Sequence, residues 1–197
     1  MYDLAILGGN VLSSDSVEVA DVLIKDGVVA RVLSAEEGGR AGRAGVRANR
    51  EVDARGMLVM PGVIDPHVHF GLRSRGTVTA DDFASGTRCA AAGGVTTIID
   101  YADHLPGMTL PWCAARRLSE IRPQAAVDYA VHQNFIRLDP DFDDQLARLR
   151  EAGIGSVKVF TTYKDVGYML EGGDLEALLR AAKRHGVLVT VHAEDDA

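Results

Sequence analysis

The stretch Ala90-Ala91-Ala92-Gly93-Gly94-Val95-Thr96-Thr97-Ile98-Ile99 sets the fold class, because it reads as a helix end, a glycine stop and an apolar strand in direct succession. The same order recurs twice. Arg150-Glu151-Ala152-Gly153 leads toward an apolar run at 157–160, and Arg184-His185-Gly186 leads into another at 187–191. Successive strands fall roughly 30 residues apart, the length of one strand–helix–strand unit. From Gly56 onward the chain therefore has the grammar of a parallel α/β sheet, either barrel or doubly wound. Strands are expected at 63–69, 95–101, 127–135, 156–161 and 187–192. Helix starts are marked by Thr79 with Asp82 three residues on, read as a capping box, by Asp139-Pro140 ahead of 142–150, and by Gly173-Asp174 ahead of 175–183.

Upstream the pattern differs. Short apolar runs at 4–7, 11–12, 19–24, 28–33 and near Glu51-Val52, separated by turn residues, describe a small β unit of sandwich type. Asp26-Gly27 is a tight hairpin signal, since both residues tolerate the positive φ of a type I′ turn. The expected organisation is a β domain over 1–56 followed by α/β structure over 57–197. Residues 36–49 with Arg40, Arg43 and Arg47, and Arg50 just beyond, read as a solvated loop rather than an anion patch, because no aromatic residue is interleaved.

Composition narrows the function classes. The 28 acidic against 21 basic side chains leave a charge of −7, which argues against a nucleic-acid partner. With 47% hydrophobic and 25% charged residues the chain is of ordinary globular composition. The N-terminus has no basic flank before a long apolar run, so neither a signal peptide nor a membrane span is expected, and a cytoplasmic location follows. Cys89 and Cys113 form no C-x-x-C pair and read as two small buried thiols.

The chemistry concentrates in four residues. In Asp65-Pro66-His67-Val68-His69 a strand places Asp65, His67 and His69 in one row, so two imidazoles converge on one point. Two structural histidines are the alternative that spacing leaves open. Lys158, one of four lysines, sits inside the apolar run Val157-Lys158-Val159-Phe160, where a charged amine pays heavily for desolvation unless it is neutral, paired or modified. A neutral buried amine reacts with carbon dioxide to give a carbamate, an anionic oxygen ligand able to bridge two cations. His192 in Val191-His192-Ala193-Glu194 lies at the carboxyl end of the fifth strand. That end of a parallel barrel is where active-site groups gather, so His67, His69, Lys158 and His192 are candidate metal ligands at one mouth. His104 and His132 near other strand ends read as supporting or structural, and Glu194 and Asp65 as residues that orient neighbouring imidazoles or line the barrel rather than bind metal.

These residues and their surroundings resemble the amidohydrolase superfamily, and within it the dihydropyrimidinase and hydantoinase group of cyclic amide hydrolases. The resemblance runs from Asp3-Leu4-Ala5-Ile6-Leu7-Gly8-Gly9 through Gly76-Thr77-Val78-Thr79-Ala80-Asp81-Asp82-Phe83 and Val157-Lys158-Val159-Phe160-Thr161-Thr162-Tyr163-Lys164 to Val191-His192-Ala193-Glu194. It implies a partial (β/α)8 barrel of about five βα units behind the small β domain. It also implies two divalent metal ions, zinc by preference, with His67 and His69 on one, His192 on the other and carboxylated Lys158 between them. Tyr163 matches the tyrosine that hydrogen-bonds the developing oxyanion. The expected substrate is a small cyclic amide, a dihydropyrimidine or hydantoin ring, handled by a homo-oligomer, dimer or tetramer. Leu72, Arg73 and Arg75 fall in the loop expected to line the ring substituent, and the arginines would admit a polar or carboxylate-bearing one. Gly71 stands where dihydroorotases carry Arg, which counts against that substrate. A whole barrel takes about 250 residues, so the chain is expected to be truncated and inactive alone. Allantoinase and a non-catalytic dihydropyrimidinase-like assembly protein are the alternatives.

Overall fold

The computed structural model describes residues 1–34, 46–74 and 76–196, and the chain divides into two compact units, Met1–Pro61 and Gly62–Ala197. The first holds β1 (Tyr2–Leu12), β2 (Val17–Lys25), β3 (Val28–Ser34), β4 (Ala48–Asp53) and β5 (Leu58–Val59). The strands lie in the order β3-β2-β1-β4, with β5 also on β1. Neighbours β1, β2 and β3 pair antiparallel, while β4 and β5 run parallel to β1. Asp26 and Gly27 take φ of 53° and 76°, as the expected hairpin turn requires. The expected sandwich is corrected: among the described residues this unit is one mixed sheet, with no second sheet facing it. Its small core of Ala5, Leu23 and Leu33 matches that. The unit extends beyond the expected boundary at residue 56, because Leu58–Val59 adds to β1. Arg40 and Arg43 of the expected loop lie outside the described residues, whereas Arg50 is part of β4.

The second unit continues with β6 (Val63–Asp65), a hairpin of β7 (Arg73–Ser74) and β8 (Thr77–Val78), α1 (Phe83–Ala92), β9 (Val95–Ala102), α2 (Leu110–Ile121) and β10 (Asp128–Asn134). It ends with α3 (Phe142–Glu151), β11 (Ser156–Phe160), α4 (Gly172–His185) and β12 (Leu188–His192). The five long-range strands form a parallel sheet in the order β12-β11-β10-β9-β6. A doubly wound sheet reverses its strand order at a switch point; this one does not, so the arrangement is part of a (β/α)8 barrel. It comprises five strands and the four helices between them. Among the described residues no helix is long and apolar enough to cross a membrane.

Val157 and Val159 are fully buried with Ile121, Phe135, Leu146, Leu149 and Leu178, so alternate residues of β11 meet the helices and leave Lys158 on the other face. The first barrel strand is shorter than expected. It stops at Asp65 because Pro66 has no N–H for the ladder, and His67 to His69 lie past its end. The helix α2 had no start signal assigned to it, although Thr109 at the N-cap and Pro111 in the first turn are one. Cys113 is buried as expected, but Cys89 is exposed on α1. The capping box is displaced as well. Asp82, directly before Phe83, is the N-cap: its carboxylate accepts from the Ser85 N–H at 2.8 Å and its own N–H donates to Ser85 Oγ at 3.2 Å. Thr79 instead accepts from the Leu72 N–H at 3.0 Å. Asp82→Ala is accordingly expected to lower the urea unfolding midpoint, since the Ser85 N–H loses its acceptor, and Ser85→Ala to lower it as well, since the Asp82 N–H loses its own.

Candidate metal centre

Parallel pairing turns the carboxyl ends of all five strands to one side, and the candidate residues sit there. A cleft of about 740 Å³ is lined by His67, Tyr101, His132, Lys158, His192 and Glu194 among others. His69 is not part of that lining but touches His67, their Nε2 atoms 3.2 Å apart. The four residues singled out from sequence are thus gathered about one cleft. Among the described residues, no three His, Cys, Asp or Glu side chains stand close enough to hold a metal ion by themselves.

Several of these residues are held by identifiable neighbours. Asp65 accepts from the backbone N–H of His67 at 3.1 Å, so it fixes the chain rather than an imidazole ring. His132 of the central strand β10 links β11 to the end of β6, with Nδ1 2.6 Å from Ser156 Oγ and Nε2 donating to the Pro66 carbonyl at 2.9 Å. The tautomer follows from that carbonyl, which can only accept. The Nε2 of His192 is hydrogen-bonded to Glu194, the orienting role expected of that carboxylate. Tyr163 sits in a left-handed turn at φ 67°, its N–H donating to Asp196 at 2.9 Å and its ring 5.1 Å from that of His192. Leu72 and Arg73 are not among the residues lining the cleft, and Arg75 lies outside the described residues.

Electrostatics separate these groups. Lys158 is 7% exposed, and burial pulls its pKa below that of a free amine. Among the described residues its side-chain amine makes no hydrogen bond or ion pair; the amine nitrogen stands 5.4 Å from the Phe160 ring centroid. Burial likewise lowers His69, helped by the neighbouring His67, and lowers His132. Among the described residues, buried His104 has no hydrogen-bond partner on either nitrogen, Asp139 being 3.6 Å away, and burial keeps it toward the neutral form.

Three participants were not picked out from sequence. Tyr101 packs against three imidazoles, its ring centroid 4.6 Å from His69, 4.9 Å from His67 and 5.1 Å from His132. Its neighbour Asp100 is fully buried and pairs with Arg117 of α2 at 2.6 Å. Arg117 Nη2 also donates to the Phe70 carbonyl at 2.7 Å. The available signal was an Asp at the end of an apolar strand with an Arg one helix later, a pair that only the packing of α2 on β9 brings together.

With this geometry in place, comparison with known proteins gives the family. The chain belongs to the amidohydrolase family, whose model matches residues 58–197. It is similar to a D-hydantoinase of Geobacillus stearothermophilus, 38% identical over 191 residues, which cover 96% of this chain and 39% of that protein. It is also similar to a dihydropyrimidinase of Rattus norvegicus, 35% identical over 98% of this chain and 36% of that one. The solved structure of a D-hydantoinase from Bacillus sp. AR9 superposes with a TM-score of 0.88 at 36% identity, covering 98% of this chain and 40% of that chain. The chain spans about two fifths of the length of the relatives it matches.

The Asp100–Arg117 pair has a pH signature. Burial pushes the Asp100 carboxyl up to about 6 from 3.8, outweighing the pull of Arg117 in the other direction. A folded pKa above the unfolded one means that the stability this group adds is complete below about pH 4 and is lost as pH rises through about 6. The urea unfolding free energy of the chain minus that of Asp100→Asn should therefore decline on the order of 3 kcal/mol between pH 4 and 7, a difference in which the opposing contribution of the lowered His69, His104 and His132 cancels.

Proposed function

We propose that this chain carries most of the donor set of a binuclear metal site in a hydrolase that opens the C–N bond of a cyclic amide, a dihydropyrimidine or hydantoin ring. The observation that carries this reading is the gathering of His67, His69, Lys158 and His192 about one cleft, in a chain of the amidohydrolase family. The donor chemistry fits. Two imidazole nitrogens bound to one tetrahedral zinc at ~2.0–2.1 Å stand ~3.3 Å apart, and those of His67 and His69 are separated by 3.2 Å. Lys158 is buried, has no ion-pair partner among the described residues and is shifted toward its neutral form. Its nitrogen lone pair can form a bond to the carbon of carbon dioxide, one N–H proton leaving to solvent and a singly charged carbamate remaining.

In this reading His67 and His69 would hold one divalent ion, zinc by preference, His192 would hold the second, and carboxylated Lys158 would supply an anionic oxygen donor to the pair. When bound, the two cations supply the positive charge that makes hydroxide available near neutral pH and polarises the scissile carbonyl. The protein's own groups do the positioning. Tyr101 packs its ring against both His67 and His69, and Glu194 holds the His192 ring through Nε2. Tyr163, set by the Asp196 bond to its backbone, donates its phenol proton in a hydrogen bond to the substrate oxygen as charge builds there. Arg73 and Arg75 bias the site toward rings with a polar or carboxylate-bearing substituent. The resemblance assigns a further histidine and aspartate to strands beyond the five described here, so residues 1–197 alone are expected to bind metal without turnover. Cytoplasmic location and a homo-oligomeric form complete the proposal.

The test is mass spectrometry and metal analysis of the chain incubated with zinc and bicarbonate. The expected result is zinc uptake together with the added mass of one carbon dioxide. Lys158→Ala should lose the added mass, and His67→Ala most of the zinc. A chain that takes up neither ends the reading.

A further inference from the structure

Once Pro66 has ended β6, the segment from His67 to Phe70 has no ladder to hold it, and its course depends on single bonds. The Val68 N–H donates to the Ile99 carbonyl at 3.2 Å, His132 donates to the Pro66 carbonyl at 2.9 Å, and Arg117 donates to the Phe70 carbonyl at 2.7 Å. We propose that Arg117, locked by Asp100, is a positioning residue that aims His69 by gripping the carbonyl of the residue that follows it. This inference rests on the reading of His67 and His69 as a donor pair.

The guanidinium cannot drift. Its Nε and Nη2 both reach Asp100 Oδ2, at 3.1 and 2.6 Å, while Nη1 meets Glu120 at 3.1 Å and the plane lies 4.6 Å over the Phe83 ring. Asp100 in turn accepts from the N–H of Tyr101 at 2.7 Å, and the Tyr101 ring stacks on His69. One ion pair therefore controls both the platform under the His69 ring and the backbone just beyond it. A second handle acts on the same residue. The Phe70 ring packs edge-on to Phe83 and fills the notch at Gly86, where an added Cβ would come within 2.3 Å of it. Metal–ligand distances tolerate errors of only about 0.2 Å, so a displacement of Phe70, one peptide bond from His69, is felt at the donor pair. An arginine suits this task and a lysine does not, because a planar fork satisfies a carboxylate and a carbonyl together while an ammonium is a single point.

The experiment uses the whole chain and the variants Arg117→Met, Arg117→Lys, Gly86→Ala and, as a destabilised control on another helix, α4, Leu178→Val. Zinc affinity is measured by competition with a chromophoric chelator, thermal midpoint without metal, and the His69 ring by ¹H–¹⁵N correlation in the metal-free chain. Arg117→Met is expected to weaken zinc binding by roughly 10- to 100-fold and to move the His69 signals. Arg117→Lys should recover part of the thermal midpoint without recovering affinity, and Gly86→Ala should weaken zinc binding while Arg117 is intact. Leu178→Val should lower the midpoint and leave both other readings unchanged. If Arg117→Met lowers only the midpoint, as the control does, the proposal is overturned. If the unaltered chain takes no zinc, the donor-pair reading falls, and the His69 signals alone then uphold the clamp by moving in Arg117→Met or overturn it by staying put.

Discussion

Parallel strand pairing is the constraint on which the second unit depends. Because β6, β9, β10, β11 and β12 all run the same way and follow one another in the sheet, residues far apart in sequence finish on a common edge. Register does the rest. Lys158 is level with Thr190 and Phe160 with His192 on the neighbouring strand, so an amine and an imidazole from separate βα units face the same cleft. No direct contact between the candidate residues is needed to bring them together; the ladder bonds are enough.

A helix layer makes that placement affordable in energetic terms. The fully buried face of Val157, Val159, Leu146, Leu149 and Leu178 gains hydrophobic free energy on the order of 25 cal/mol per Å² of apolar surface removed from water. The opposite face carries groups that cost free energy to bury, Lys158 and the neutral-leaning His132, while the helix side of β9 buries the Asp100–Arg117 pair. A buried ion pair is weak evidence of stabilisation, since desolvation rivals the attraction. Its presence beside Tyr101 and Phe70 is better understood through what it orients than through what it adds to stability.

Where the ladder fails, side chains take over. Pro66 terminates β6 after Asp65, and the following residues, which carry the two convergent imidazoles, are tied by bonds from His132, Ile99 and Arg117. A similar substitution occurs after β11, where Asp196 holds Thr162 and the left-handed Tyr163. At both strand ends the functional candidates lie just outside regular structure, and their positions are set by contacts from other elements.

Much of this was legible in the chain itself. The Gly-punctuated helix-to-strand passages at 93, 153 and 186 located three barrel strands, since helix termination by glycine and apolar strand runs are local properties. Asp26-Gly27 marked its hairpin for the same reason. Period-two alternation put Lys158 opposite Val157 and Val159 correctly. The choice between barrel and doubly wound order, the single sheet in place of a sandwich and the exposure of Cys89 depended on which elements pack together. So did the roles of Tyr101, Asp100 and Arg117, because ring stacking and a pairing across 17 residues are written in no local pattern. The sequence by itself determined which side chains are candidates for chemistry and which face of β11 presents Lys158. Only tertiary structure decided which neighbours hold them in place, because those contacts join residues whose separation along the chain carries no information about their distance in space.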